Sequence, residues 1–325
     1  MSKKGYTLMV IAGLICLGIA NGVLAQEDFP TRNIELICPY GAGGSTSMGA
    51  RIIAGTLSEF LGKPVVVMNK TGAGGSIAAA YVARSKPDGY TLFIFNSGSN
   101  GVTVAVRKIL YTNEDFELFG QYASQKMGLV VRNDAPWKTV GEMVAFAKKN
   151  PGELKYATSG VGTSGHFGME LIKIAAGGLK IDHVPFKSGP EYIAAMLGGH
   201  VQLGFWYMVD FKPHVEAGRL RLLAMGTEER YKGFPDVPTF AEAGYPDVKL
   251  GTWYGLAAPK GLPKHVSEKL RSAAYKTFQH REVQKMLTKI GYDPTFLNAE
   301  EFAKMVKEAE KRYRWVAKEA GIKIE

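Results

Sequence analysis

The stretch GAGGSTS, Gly41 to Ser47, brings three glycines and three hydroxyl side chains to the end of an apolar run, ELICPY, and the start of an amphipathic one. Two further stretches share that composition: FNSGSNG, Phe95 to Gly101, and ATSGVGTSGH, Ala157 to His166. Glycine lets a bound group reach the backbone N–H groups, serine and threonine add donors and helix caps, and a helix starting there presents its positive end. The chemistry of such loops is the holding of an anion. One glycine-rich turn is an ordinary tight connection; three of one composition, each following an apolar run, point to a single anion site. A fourth cluster, NKTGAGGSI from Asn69 to Ile77, reads as a bridge between closely packed elements.

Catalytic readings fail on particular residues. GVGTSG, Gly160 to Gly165, matches the dinucleotide fingerprint, but Asp182 opens the segment IDHVPF instead of closing a strand, where a ribose-binding acid belongs. GAGGSTSMG has no lysine after its last glycine, as a phosphate-binding P-loop needs, and Gly-x-Ser-x-Gly is absent. His166, His183, His200, His214, His265 and His280 never fall at metal-binding helical spacing, so no cofactor or metal is expected. Cys38 ends an apolar run and reads as a small buried hydrophobe.

The elements that must position these loops alternate. NIELICPY, PVVVMNK and YTLFIFN read as strands, and TSMGARIIAGTLSEFLG, with Met48, Ile52, Leu57 and Leu61 at helical spacing, and SIAAAYVARSK read as the helices between them. The alternation resumes with MGLVVRN, TVGEMVAFAKKN, LKYATS, GHFGMELIKIAAG, IDHVPF, PEYIAAMLGGH, VQLGFW and LRLLAMG. That grammar gives two α/β lobes, each a mainly parallel sheet flanked by helices, with a crossing near residue 125. From about Leu250 come GTWYGLAAP and amphipathic helices. Asn298 and Glu301 have capping-box spacing, and Phe302, Met305, Val306, Ala309, Tyr313 and Val316 form one stripe, expected to pack back on the first lobe. The expected division is residues 26–125 and 251–325 in lobe 1, and 126–250 in lobe 2.

The chain has 325 residues, 46% hydrophobic and 22% charged, within the globular range. Its first residues carry Lys3, Lys4, an apolar run from Leu8 to Ala20 and Val23-Leu24-Ala25, the pattern of a leader (residues 1–25) cleaved near Ala25. The run is shorter than the ~20 residues that span a bilayer, which disfavours an uncleaved anchor. Export to the periplasm follows, with Cys38 the only cysteine after cleavage and no intramolecular disulfide. Loss of the two lysines lowers the formal charge from +10 to about +8. Nucleic acid is not an expected partner, because the lysines are dispersed and no basic run is interleaved with aromatics.

Taken in order, the leader, FPTRNIELICPYGAGGSTSMGAR, GKPVVVMNKTGAGGSIAAAYVARSKPDGYTL, YATSGVGTSGHFGMEL, VPFKSGPEYIAAMLGGHVQLGF, PHVEAGRLRLLAMGTEER, FPDVPTFAEAGYP and WYGLAAPKGLP resemble the Bug-type periplasmic substrate-binding proteins of tripartite tricarboxylate transporters. The resemblance implies a Venus-flytrap periplasmic binding protein, a monomer, closing on a small carboxylate and delivering it to inner-membrane permease subunits. It also implies a carboxylate held by backbone N–H groups, small hydroxyls and water. The matching positions are Tyr40, Gly41, Ala42, Gly43, Gly44, Ser45 and Thr46; Ser97, Gly98 and Ser99; and Gly162, Thr163, Ser164 and His166. Lys187, in VPFKSG, matches a turn lining the cleft from the second lobe.

Two positions depart from the family pattern. Ser47 stands where the family usually carries Asp, and Trp206 where it often carries another acid. Loss of carboxylates removes repulsion against an anionic ligand and makes an amino acid ligand less expected. Trp206 offers a flat wall suited to a ring or a methylene chain, whereas strand alternation points Phe205 into the core. At this level an exported α/β enzyme acting on a carboxylate or phosphate ester, and a sensor for a signalling partner, remain alternatives to transport.

Overall fold

The computed structural model describes residues 29–158, 160–186 and 189–322. The leader expected over residues 1–25 and the Lys187 side chain lie outside the described residues. The order of elements is β1 (Ile34–Cys38), α1 (Ser45–Leu61), β2 (Val65–Asn69), α2 (Ser76–Ala83), β3 (Thr91–Asn96), α3 (Thr103–Val106) and β4 (Phe116–Gln125). Then come β5 (Met127–Arg132), α4 (Val140–Lys149), β6 (Lys155–Thr158), α5 (Ser164–Ala175), β7 (Asp182–Pro185), α6 (Gly189–Leu197), β8 (Leu203–Tyr207), α7 (Met208–Glu216) and β9 (Leu220–Met225). The chain finishes with β10 (Thr252–Pro259), α8 (Lys264–Gln279), α9 (Arg281–Lys289) and α10 (Ala299–Glu319).

These strands form two five-stranded sheets, ordered β2-β1-β3-β10-β4 and β7-β6-β8-β5-β9. In the first, β1 pairs in parallel with β2 and β3, while β10 is antiparallel to both β3 and β4. In the second, β6 pairs in parallel with β7 and β8, while β5 is antiparallel to β8 and β9. Each lobe is therefore a parallel sheet with one reversed strand in its fourth place. That strand is the one arriving from the other lobe: β5 follows β4 out of the first sheet, and β10 returns after β9.

Period-two alternation sorts side chains onto two buried faces. Along β3, Leu92 and Ile94 join the cluster beneath α1, α8 and α9, while Phe93 and Phe95 join the opposite one beneath α2 and α10. Helix α1 ends where Gly62 turns left-handed, φ 72°, and its N–H returns to the Ser58 carbonyl. Its buried face is Ala50, Ile53, Ala54, Leu57 and Leu61. Met48 is instead 41% exposed and Ile52 only half-buried, so the apolar stripe is rotated from the expected phase. Ala50 and Ala54 join the core beneath the helix and Gly49 sits against the Tyr292 ring, small residues that a hydrophobicity pattern alone underweights.

Helix α10 differs from expectation in a more useful way. Asn298 and Glu301 do form the capping box, and Phe302 and Val306 pack on the first lobe against Phe95 and Trp253. Its last turns, with Tyr313, Val316 and Ala317, belong to the second lobe's core; Tyr313 meets Phe167 of α5 edge-on at 5.5 Å. One helix thus serves both lobes. Three elements depart from the sequence reading: the short helix α3, β4, whose FELFGQYASQ lacks a clean apolar run, and α7, which contains Pro213.

Candidate functional site

The loops that leave β1 and β3 in the first lobe and β6 in the second converge on one cavity of about 260 Å³, together with strand-end residues of β8 and β10. In the first loop the Asn69 amide donates to the Tyr40 carbonyl at 2.6 Å and to Ser47 Oγ at 2.9 Å, tying the glycine turn to the end of β2. Gly44 N–H closes that turn on the Gly41 carbonyl at 3.1 Å, and α1 begins with Ser45 and Thr46 at the cavity wall. Burial raises the Tyr40 phenol above its ordinary value, and Tyr207 nearby adds to the effect.

Asn96 organises the second loop. Its Oδ1 accepts from the Tyr40 hydroxyl at 3.1 Å, Gly98 N–H at 2.9 Å and Ser99 N–H at 3.2 Å, while Nδ2 donates to the Ile94 carbonyl and Ser99 Oγ, both at 3.1 Å. A Cβ on Gly98 would lie 2.1 Å from the Tyr40 hydroxyl, so only glycine fits. The fourth glycine cluster, read from sequence as a bridge, docks here: Thr103 Oγ1 donates to the Gly74 carbonyl at 3.1 Å, and both residues line the cavity.

In the third loop Thr163 caps α5, and Gly162 N–H donates to His166 Nδ1 at 3.1 Å. His166 stacks on His183 at 4.4 Å, and His183 stacks on Tyr156 at 4.8 Å while its Nε2 meets Thr158 Oγ1 at 2.7 Å. Burial pushes His166 below its ordinary value; burial, with His166 beside it, pushes His183 down to about 4. Both rings are neutral at pH 7, and His166 acts from behind the loop as an acceptor. The far wall is Trp206 and Tyr207, rings 4.4 Å apart, with Trp206 seated against α5 where a Cβ on Gly165 would meet it at 2.6 Å.

Of the residues expected from sequence, Tyr40, Ser45, Thr46, Ser97, Gly98, Gly162, Thr163, Ser164 and Trp206 line the cavity. Gly41, Ala42, Gly43 and Gly44 are exposed and do not line it, and Ser47 and Ser99 are buried behind it. Phe205 is fully buried against Phe240, as alternation implied. The cavity adds Gly74, Asn96, Thr103, Thr252 and Tyr254, together with Tyr207, the neighbour of Trp206 in the aromatic run FWY. Thr252 and Tyr254 are alternate residues of β10 and so share a face, a signal visible only once that strand's neighbours are known. Asn96, directly before Ser97 at a strand end, was legible.

Among the described residues, none that lines the cavity is Asp, Glu, Lys, Arg or His. Helices α1 and α5 both begin at the cavity and carry no acid in their first turns, whereas α4 and α10, away from it, have Glu142 and Glu300 with Glu301 there. Two helix dipoles are therefore left uncompensated where the loops meet. Cys38 is fully buried, its thiol raised by burial, with Sγ 3.7 Å from the Tyr40 carbonyl, a position without nucleophilic access. Among the described residues no group of three or more His, Cys, Asp or Glu is placed to hold a metal.

The chain is 30% identical over 322 residues to Protein BugT of Bordetella pertussis, covering 98% of each. It is similar to the solved structure of Rhodopseudomonas palustris Rpa4515 with adipate, at 33% identity and TM-score 0.77 over 91% of this chain and 99% of that one. It is also similar to MatC from Rhodopseudomonas palustris with bound malate, at 28% identity and TM-score 0.73 over 89% and 99%. Residues 49–322 match the family described as "Tripartite tricarboxylate transporter family receptor". With two sheets meeting at a shared cavity and that match spanning most of its length, the chain belongs to the tripartite tricarboxylate transporter family of receptors.

Proposed function

We propose that the protein is a periplasmic receptor that closes its two lobes on a small organic carboxylate and presents it to the membrane subunits of a tripartite transporter. The lobes are residues 26–125 with 251–325, and residues 126–250. The observation that carries this reading is a cavity of about 260 Å³ walled by hydroxyls, an amide and two uncompensated helix starts, with no charged side chain among the described residues that line it. An anion is met there by fixed dipoles. Each helix start contributes ~0.3–1 kcal/mol when exposed and up to ~2 when partly buried, so several N–H and hydroxyl bonds must add to reach the about 8 kcal/mol of micromolar binding. Adipate and malate, carried by the two similar structures, set the scale of the expected ligand. Among the described residues the cavity's hydroxyls have no lining Asp, Glu, His or Lys to act as a general base, which favours binding over hydrolysis.

A thermal-shift screen against adipate, malate, phthalate and glutamate tests the reading. A ligand at 100 times its dissociation constant adds about 2.7 kcal/mol to the folded state. A shift confined to the non-amino carboxylates is the expected result. No shift with any carboxylate refutes it.

A further inference from the structure

The third loop is bonded to itself and to two imidazoles behind it. Thr158 Oγ1 donates to the Gly160 carbonyl at 3.1 Å and accepts from Gly160 N–H at 3.2 Å, and Thr163 Oγ1 donates to the same carbonyl at 2.9 Å. Gly160 and Gly162 take positive φ, 124° and 75°, in the turn that brings Gly162 N–H to His166 Nδ1 at 3.1 Å. His166 is 7% exposed and does not line the cavity, whereas Gly162, Thr163 and Ser164 do. His183, stacked on the His166 ring at 4.4 Å, places its Nε2 2.7 Å from the Thr158 hydroxyl. The pair thus braces both ends of the loop, one ring through Thr158 and the other through Gly162.

We propose that His166 is the positioning residue of this loop: as an acceptor behind it, the ring holds Gly162, Thr163 and Ser164 in their binding arrangement, and a proton on Nδ1 releases Gly162 and weakens the hold on the cleft ligand. The last step rests on the carboxylate reading of the cleft. Protonation turns the acceptor into a donor aimed at another donor. The charged and titratable groups around the ring are Glu170 and Lys173 on its own helix, Tyr156 on β6, His183 on β7, Tyr207 of β8 beside Ser164, and Tyr313 of α10 against Phe167. Burial first, and then Lys173, favour the neutral ring; Glu170 opposes them, but its Oε1 already accepts from the Tyr156 hydroxyl at 2.6 Å and from Lys173 Nζ at 2.7 Å.

NMR of the ligand-free protein from pH 7.5 to 4.5, following the His166 ring and the exchange of Gly162 N–H, tests the loop step without a ligand. Gly162 is expected to lose protection in step with protonation of His166. Titration calorimetry with adipate tests the binding step. His166→Phe keeps a ring on His183 but removes the acceptor, and is expected to weaken adipate about three- to tenfold at pH 7.5, the scale of one hydrogen bond. His166→Asn restores an acceptor oxygen at the Nδ1 position and is expected to recover most of that loss. Because the ionisation of adipate is common to both proteins, the ratio of native to His166→Asn dissociation constants isolates the imidazole, and it is expected to rise about three- to tenfold as pH falls. Gly162 protection that persists through the His166 titration overturns the proposal. So does a ratio that stays flat or falls, the sign expected if attraction between the imidazolium and the anion prevailed. Absence of adipate and malate binding to native protein at pH 7.5 counts against the carboxylate reading instead, with Gly162 exchange still deciding the role of His166.

Discussion

Asn96→Asp separates a ligand held by neutral dipoles from one held in any other way. The substitution is nearly isosteric and keeps an oxygen for the Tyr40 hydroxyl and for the Gly98 and Ser99 N–H groups, all of which Asn96 Oδ1 accepts at 2.9–3.2 Å. It loses the two bonds donated by Nδ2 to the Ile94 carbonyl and Ser99 Oγ. At roughly 0.5–1.5 kcal/mol each, that loss lowers stability by about 1–3 kcal/mol, which leaves a domain of this size folded. Binding suffers in a different way, because a carboxylate now stands in the wall of a cavity whose described lining otherwise carries no charge. Two like charges roughly 5–7 Å apart at an effective dielectric of about 20 repel by ~2–3 kcal/mol, a loss of roughly 30- to 150-fold in affinity. Calorimetry with adipate on native and variant protein, with melting temperature measured alongside, reads both effects. Adipate affinity within about threefold of native, in a variant that is folded, would show that the anion does not lie against the second loop and would remove the basis for the dipole argument.

Three further outcomes are expected. Trp206→Ala removes one wall of the cleft and should shift preference from adipate toward bulkier carboxylates such as phthalate, read as the ratio of their dissociation constants; an unchanged ratio would take Trp206 out of the contact surface. Ser47→Asp places an acid in the first turn of α1, beside Asn69, where it competes with the ligand for the helix dipole, so malate should bind about two- to fivefold more weakly; equal or tighter binding would detach the first loop from the anion. Both stacked imidazoles are depressed in the fold, so as pH falls below the ordinary histidine value of 6.5 the unfolded chain takes protons first, and stability should decline from there to about 4, where His183 also protonates in the fold. His183→Gln should flatten the melting-temperature profile across that window, and a native-like slope would assign the decline to other groups.

Much of the architecture was legible because its strands are continuous apolar runs bounded by glycine and polar turns, as parallel sheets buried on both faces require. The loops were legible for a related reason: small residues at a strand end have few uses other than close approach. What escaped depends on tertiary pairing. The β4 strand, FELFGQYASQ, has no period of its own and is held by β10, which arrives well over a hundred residues later. His166 reads equally well as a ligand donor or as a loop partner, and the contacts that favour the second, the Gly162 N–H on its Nδ1 and its stack on His183, come from residues whose placement the sequence does not give. Gly74 was dismissed because the reason for its loop, Thr103, stands on another element. The rotation of the α1 stripe has the same origin, since Ala50 and Ala54 are buried by what packs on them.

The reversed strands set an order of assembly. Strands β5 to β9 are contiguous in the chain, so the second sheet can close as soon as they are present, with no long loop to order. The first sheet cannot close then: β10 fits between β3 and β4, and until it arrives those two strands keep open inner edges beside Phe93 and Phe95. Even the second lobe is unfinished at that point, because the Phe167 surface waits for Tyr313 on the last helix. A copy broken off between β9 and α10 leaves apolar surface uncovered on both lobes at once. Docking of the last helix thereby closes the cores of both lobes in one event.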